Sequence, residues 1–416
     1  MIKQTQTKLF SFADTGLDFC AGSKNKFPEV FKKMLATGYN PQTPASVSIS
    51  ADKITLTYGV SHGYVADRVL LVTAAGGFSK EVYVDSVTSG TVTCTVLDGV
   101  TTGLTGAVST KVAPFGWTLE YDVSPIQIYK MKHIDDTDRY VRFCFETSTG
   151  SVRNSVAVCI GKTANLTTGV IDDALSLQST AAITSLSAAN IPKWDTYTPT
   201  SSHNNWTCAQ GLSTYGVGMC VGSPYHFAFL SCDGYTSAPH HIYGIFPSVC
   251  HGYPKLDYPL LIGLNPSSTS NTSGSLYGNF SRADTTTLGH ASIGGIRVRF
   301  DRANVVSNKL INGSYLDISS SSVLSAGLDS FNTTTAMPLS IFEHSTSQHL
   351  GQCYGLFLCQ YANNTTPGIS IANNPHITTD VDFQNLTVVA ISAANNTDVS
   401  ATRFLAIPVE QIKYGA

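Results

Sequence analysis

A mainly β fold, made of several small antiparallel barrels or sandwiches with one short N-terminal helix, is predicted by three observations. Ser and Thr number 46 and 47 of the 416 residues, beside 34 Gly and 19 Tyr, a composition that suits pleated surfaces and their turns. Apolar residues alternate with period two in segment after segment, the spacing of half-buried strands. Only one stretch before residue 170 has helical spacing.

That stretch is Phe27 to Gly38. Pro28 suits a first helical turn, Val30, Phe31, Met34 and Leu35 fall on one face, and Gly38 suits the position just past the end, so a helix of about residues 27–37 is expected. From Ser46 the rhythm changes to strands: Lys53–Tyr58, Arg68–Val72, Glu81–Val84 and Thr91–Val96, separated by Gly59, Gly63, Gly76-Gly77 and Ser89-Gly90. These predict a small antiparallel β-module over about residues 45–110. Strands at 125–130, 140–145 and 155–160 follow. They are expected to pair with residues near the N-terminus, leaving the small module as an insertion. The expected organisation is therefore an N-terminal β domain over residues 1–165, a Ser/Thr/Ala-rich linker over 166–192, and a C-terminal β-rich domain over 193–416 with long polar loops such as Asn265–Ser275 and Ser319–Ser322. No fixed repeat and no heptads occur, which argues against solenoids and coiled-coil fibres.

Charge narrows the function classes. Lys and Arg number 25, Asp and Glu 28, and together they make 13% of the chain, about half the usual share. This is neither a nucleic-acid binder nor an acidic disordered scaffold. Residues 163–416 hold only 9 Lys/Arg and 14 Asp/Glu. So neutral a surface suits burial against neighbouring subunits, because interface cores are poor in charge. The polar start, Met1 to Lys8, lacks the apolar core of an export signal, and no run of about 18 apolar residues suggests a membrane span. The ten cysteines contain no C-x-x-C pair and are expected to be reduced thiols. Asn-x-Ser/Thr triplets such as those at Asn165 and Asn205 are then chance products of the composition.

Five local patterns could carry chemistry. Gly59-Val60-Ser61-His62-Gly63 spells the G-x-S-x-G nucleophile signature, but that chemistry needs a helix after the serine, and the residues from Tyr64 to Val72 read as strand. Gly161-Lys162-Thr163 ends like a phosphate loop, yet Val156 stands where the first Gly is required. Asp135-Asp136-Thr137-Asp138 clusters carboxylates without the spacing of a calcium loop, so it reads as a solvated turn. Cys232, His240, His241, Cys250 and His251 are zinc-type ligands at irregular spacing. Trp194, Tyr197, Trp206, Tyr215 and Tyr225 could stack on sugars, or fill a core. Paired catalytic carboxylates cannot be assigned from dispersed acids. No residue is therefore assigned a catalytic, cofactor-binding or metal-ligating role, and no enzyme activity is expected.

Three runs carry a resemblance: Met1-Ile2-Lys3-Gln4-Thr5-Gln6-Thr7-Lys8-Leu9-Phe10-Ser11, then Val60-Ser61-His62-Gly63-Tyr64-Val65-Ala66-Asp67-Arg68-Val69, then Lys111-Val112-Ala113-Pro114-Phe115-Gly116-Trp117. Over about residues 1–165 they resemble a family of tailed-bacteriophage virion proteins of tail, neck or baseplate type. Members begin with a Lys-Gln-Thr-x-Thr-Lys arm and a short helix, followed by a β-module with a Ser-His-Gly-aromatic turn and an Ala-Pro-aliphatic-Gly-Trp segment. Phe115 stands where the family has an aliphatic residue, and an Asp-Val-Asp-Thr-Gly run is reduced to Gly169–Asp173. Size and layout are similar to the non-contractile tail sheath of short-tailed phages that carry a virion RNA polymerase. The resemblance implies a structural subunit assembled in the host cytoplasm and residing in the virion tail. Its implied partners are copies of itself in a six-fold or twelve-fold ring and other tail, portal or neck proteins, with no membrane and no sequence-specific nucleic acid. The alternative is a receptor- or sugar-binding tail appendage. A further expectation, from the alternation of Ile2, Gln4 and Gln6 with Thr5 and Thr7, is that the arm of residues 1–8 adds as a strand to an adjacent sheet edge of a designated partner.

Overall fold

The computed structural model describes residues 3–147, 153–186, 191–197, 201–232, 240–264, 290–300, 335–360, 376–379, 386–392 and 403–413. Most segments with period-two alternation are strands there, but residues 4–7 and 64–68, expected as strand, are not. The protein is mainly β, with antiparallel sheets and a short helix near the N-terminus. Met1, Ile2 and the polar loops 265–275 and 319–322 lie outside the described residues.

Helical spacing at the N-terminus produces an α-helix over Phe27–Lys32 that continues as a π-turn over Lys33–Thr37. Its buried side is Phe27, Val30, Phe31, Met34 and Leu35. Gly38 ends it at φ +73°, a conformation that disfavours any residue with a Cβ, and a Cβ there would collide with the Val112 carbonyl. A second helix, Cys208–Tyr215, opens on a capping box between Thr207 and Gln210.

Seven strands between Tyr39 and Val112 form one curled antiparallel sheet, in the order Tyr39–Gln42, Val108–Val112, Val69–Ala74, Ser79–Val87, Thr91–Thr95, Lys53–Thr57 and Ser46–Ser50. The hydroxyls of Tyr58 and Tyr64 both meet Thr110 Oγ1 at 2.9 Å across its interior. The sheet therefore bends far enough for strands well apart in its order to touch.

Five strands form the central sheet: Thr118–Val123, Ile126–Lys132, Asp138–Phe145, Arg153–Gly161 and Trp194–Tyr197. Its three middle strands are buried on both faces, while the edge strand Thr118–Val123 stays largely exposed. Tyr129, Val141, Phe143 and Val158 face the main core, while Ile128, Cys144 and Ala157 face Leu186 and its neighbours. The second face is covered by residues 164–186. Arg142, wholly buried, donates from Nε to the Gly169 carbonyl at 2.7 Å, and from its terminal nitrogens to Thr180 and Ile183 carbonyls at 3.2 and 2.5 Å. The part of the expected linker that is described is thus bound down on the sheet.

The third sheet holds thirteen strands among the described residues. It starts with Lys8–Ser11, Met219–Ser223, His226–Cys232, His240–Phe246 and Leu260–Leu264, and runs on to His349–Gln360, Arg403–Pro408 and Leu386–Ser392. Its early strands are also buried on both faces: Phe227 and Phe229 enter the main core, Ala228 and Leu230 the second core with Leu405 and Ile407.

Here two expectations are corrected. The strand partner of the N-terminal residues is not the 125–160 set but Met219–Ser223, with Phe10 opposite Cys220. Packing accompanies it: Phe12 lies 5.0 Å from Phe229 on the next strand of the same sheet, and Phe10 stacks at 4.4 Å on Phe115, which packs against Gly222. The described part of the arm, residues 3–8, also docks within its own molecule. Gln6 Nε2 donates to the Lys413 carbonyl at 2.9 Å while Gln6 Oε1 accepts from the Ile412 N–H at 2.8 Å. Gln4 reaches the Val409 carbonyl, Thr7 the Glu410 carbonyl, and buried Lys8 lies 3.0 Å from Glu81. Amide side chains that could have read a neighbour's strand edge are spent on the chain's own C-terminal residues.

Candidate functional site

Ser61 is exposed in a loop that leads to the strand Val69–Ala74, with no helix between. A nucleophile elbow needs that helix for its oxyanion donors. The histidine beside it is buried and fully used. Tyr64 N–H donates to His62 Nδ1 at 3.0 Å, so Nε2 carries the proton and donates to the Thr88 carbonyl at 2.8 Å. The imidazole stacks on Tyr64, its own carbonyl accepts from Asn40 Nδ2, and Gly63 at φ +69° packs on Thr15. The Gly-x-Ser-x-Gly loop is held as a structural corner of the curled sheet.

Gly161-Lys162-Thr163 closes a central strand and meets the turn at Asp173, which accepts from Lys162 N–H at 2.8 Å. No phosphate-cradling helix follows; the next is the single turn Gln178–Ala181. The acidic turn is likewise consumed locally. Asp135 accepts from the N–H and hydroxyl of Thr137 at 3.0 and 2.6 Å. Asp138 lies 2.6 Å from Lys132, and Asp136 takes Lys413 and the Tyr225 hydroxyl.

The histidine and cysteine set is spread along a strand. Cys232 and His240 face each other in register across a hairpin, but Cys250 lies beyond Phe246 and pairs with Gly351. Burial raises the Cys250 thiol to about 11. The side chains of Cys232, His240 and His241 lie outside the described residues, and among those described no group of three His, Cys, Asp or Glu is poised for a metal. Eight cysteines with described side chains are free thiols.

Of the aromatic set, Trp194 is core: it stacks on Tyr243 and donates from Nε1 to the Ile262 carbonyl at 2.8 Å, joining the central and long sheets. Tyr215 is buried, and its hydroxyl meets His203 Nδ1 at 2.9 Å, with Trp206 packed on the same imidazole at 3.7 Å. Tyr225 is tied to Asp136. The side chain of Tyr197 lies outside the described residues.

One polar cluster escaped the sequence reading because its members are remote in the chain. Asp257 Oδ2 lies 2.6 Å from the Arg139 guanidinium and 3.5 Å from Lys162 Nζ, and Oδ1 lies 3.0 Å from His133 Nε2, off the line of a straight hydrogen bond. Beside it the Tyr258 hydroxyl donates to Asp173 at 2.6 Å. Burial, then the charge of Arg139, hold His133 below its ordinary pKa. Burial opposes ionisation of Asp173, but the Lys162 N–H and Tyr258 hydroxyl outweigh it and keep the carboxyl low. The cluster rivets the central sheet to the loop before Leu260 and leaves no aligned nucleophile and base.

The third resemblance run is equally absorbed by packing. Phe115 N–H donates to the Met34 carbonyl, Gly116 and Trp117 N–H to that of Leu35, and Trp117 Nε1 to the Ser223 carbonyl at 2.9 Å. The segment therefore staples the end of the helix to the long sheet. Among the described residues no helix is long and apolar enough to cross a membrane. Comparison with protein families and with curated proteins returns no match for this chain.

Proposed function

We propose that this protein is a structural subunit of a bacteriophage tail, a sheath or sleeve subunit repeated six-fold or twelve-fold as a ring around the tail axis. It is assembled in the host cytoplasm and works in the virion beside other tail, portal or neck proteins. The observation that carries the reading is that all three sequence runs resembling tail proteins are spent on architecture. His62 locks a corner, Trp117 staples the helix to the long sheet, and Gln4 and Gln6 clasp the C-terminal residues. Residues in such positions build a rigid part and leave little chemistry free. The sparse charge of residues 163–416, 23 charged side chains in 254 residues, suits faces that neighbours cover, and cyclic closure satisfies such faces without open ends.

A reconstruction of virions tests it. The expected result is a closed ring of this chain around the tail, each copy burying more than about 1,000 Å² against like neighbours. Isolated copies at the tail tip, clear of the axis, would favour the receptor- or sugar-binding appendage instead.

A further inference from the structure

We infer that the strand Ser46–Ser50 is an interface between two copies of this chain, which pair it with itself across a two-fold axis. An edge strand exposes unpaired backbone donors and acceptors, and proteins ordinarily blunt such edges with charge, proline or a bulge. Five described edge strands carry such devices or a polar ring. Lys8–Ser11 begins with Lys8, Tyr39–Gln42 contains Pro41, and Trp194–Tyr197 contains Asp195. Thr118–Val123 carries Glu120, Asp122 and a bulge in its pairing, and His376–Thr379 begins with an imidazole. Ser46-Val47-Ser48-Ile49-Ser50 has none of these, and it pairs with Lys53–Thr57 in unbroken register.

Its two faces differ. Val47 lies opposite Leu56 and Ile49 opposite Ile54. Directly opposed residues share a face, and Leu56 and Ile54 are fully buried, so Val47 and Ile49 stand on the face that fills the core. Yet Ile49 is 47% exposed. The core of the curled sheet therefore continues, uncovered, to this edge.

The sequence selects the occupant. Ser-Val-Ser-Ile-Ser reads nearly the same in both directions about Ser48, so antiparallel self-pairing sets Ser48 against Ser48 and Val47 of one copy against Ile49 of the other. Apolar meets apolar on the core face and serine meets serine on the outer face. No charge lies between Pro44 and Ala51 to repel its own copy. Two five-residue strands bury well below the roughly 1,200 Å² of a stable pair. The contact is accordingly weak alone, and strengthens where other contacts already hold copies together. It is separate from the proposed ring contact and does not depend on it.

Sedimentation of the full chain at increasing concentration tests the inference. Wild type should show a reversible monomer–dimer equilibrium, and Ser48→Lys, an exposed change that sets two ammonium groups face to face, should weaken it by roughly tenfold or more while leaving the circular dichroism spectrum unchanged. Ser48→Cys should form a disulfide-linked dimer under mild oxidation faster than wild type and faster than Ser61→Cys, an exposed loop control. A chain that stays monomeric to about 100 µM (a concentration at which weak interfaces register) and shows no excess cross-linking at Ser48→Cys would overturn the inference. So would a dimer indifferent to Ser48→Lys. Ring-sized assemblies that persist in Ser48→Lys would leave the tail reading standing whichever way the strand behaves.

Discussion

At the scale of single residues, the histidines separate by what their ring nitrogens touch. His62 has both nitrogens bound to backbone groups, whereas His226, also buried, has Nδ1 on the Ser223 hydroxyl at 2.7 Å and Nε2 without a partner. Burial lowers the His226 pKa from 6.5 to about 3. The unfolded chain therefore binds this proton more readily than the native one. The stability that comes from keeping His226 neutral is complete above about pH 6.5, falls as the pH drops below that value, and levels off near pH 3. At pH 5 the loss amounts to about 2 kcal/mol. Urea denaturation at pH 7.5 and pH 5 checks it: wild type should lose about 2 kcal/mol more between the two than His226→Gln does. Parallel losses in the two proteins would show that the ring is not the group that titrates.

At the scale of elements, Arg142 shows how a segment with strand-poor, linker-like composition acquires a fixed place. Residues 164–186 offer carbonyls, Arg142 offers a forked set of donors, and three hydrogen bonds join them. A lysine has a single ammonium and cannot hold three separated carbonyls. Arg142→Lys should therefore speed proteolytic cutting within 164–186 by about tenfold, for a loss near 1.4 kcal/mol in closing the segment. Equal cutting rates would mean that Ile171 and Leu186 hold the segment unaided. The sequence pattern could not disclose this, because an arginine flanked by Val141 and Phe143 reads as the polar phase of an ordinary strand. Elements with their own periodicity were legible: the helix at Phe27, and the strands at 53–57, 91–95 and 126–132. Helix Cys208–Tyr215 was legible in principle from Thr207 and Gln210, a Thr-x-x-Gln capping box, but it lacks a long apolar stripe. Lys8–Ser11 was recognisable as strand-like, and its partner was not, since a contact between residues 10 and 220 leaves no local trace. The polar cluster at Asp257 was hidden for the same reason.

At the scale of the whole molecule, the three sheets share one hydrophobic core, and Phe31 on the helix joins the central and long sheets within it. Its ring lies 5.4 Å from both Phe143 and Phe145 of the central sheet, and 5.5 and 6.0 Å from Phe227 and Phe229 of the long sheet. The same hydrophobic cluster takes in Ile54, Leu56 and Val92 of the curled sheet. Edge-to-face and tilted pairs of this kind add about 0.5–1.5 kcal/mol each beyond the area they bury, so separating the central from the long sheet breaks them, while Phe10 on Tyr39 ties the curled sheet to the long one. Unfolding of the sheets should then be coupled despite the length of the chain. Phe31→Ala removes the hub and should cost about 3–5 kcal/mol. Calorimetry is expected to show a single transition in wild type, displaced as a whole to lower temperature by the substitution. Fluorescence from Trp117 and Trp194, which report on the helix staple and on the join between central and long sheets, should lose its native signal over the same interval. Two resolved transitions, only one of them moved by Phe31→Ala, would mean that the core clusters unfold independently, and that the aromatic hub stabilises one sheet without tying it to the rest.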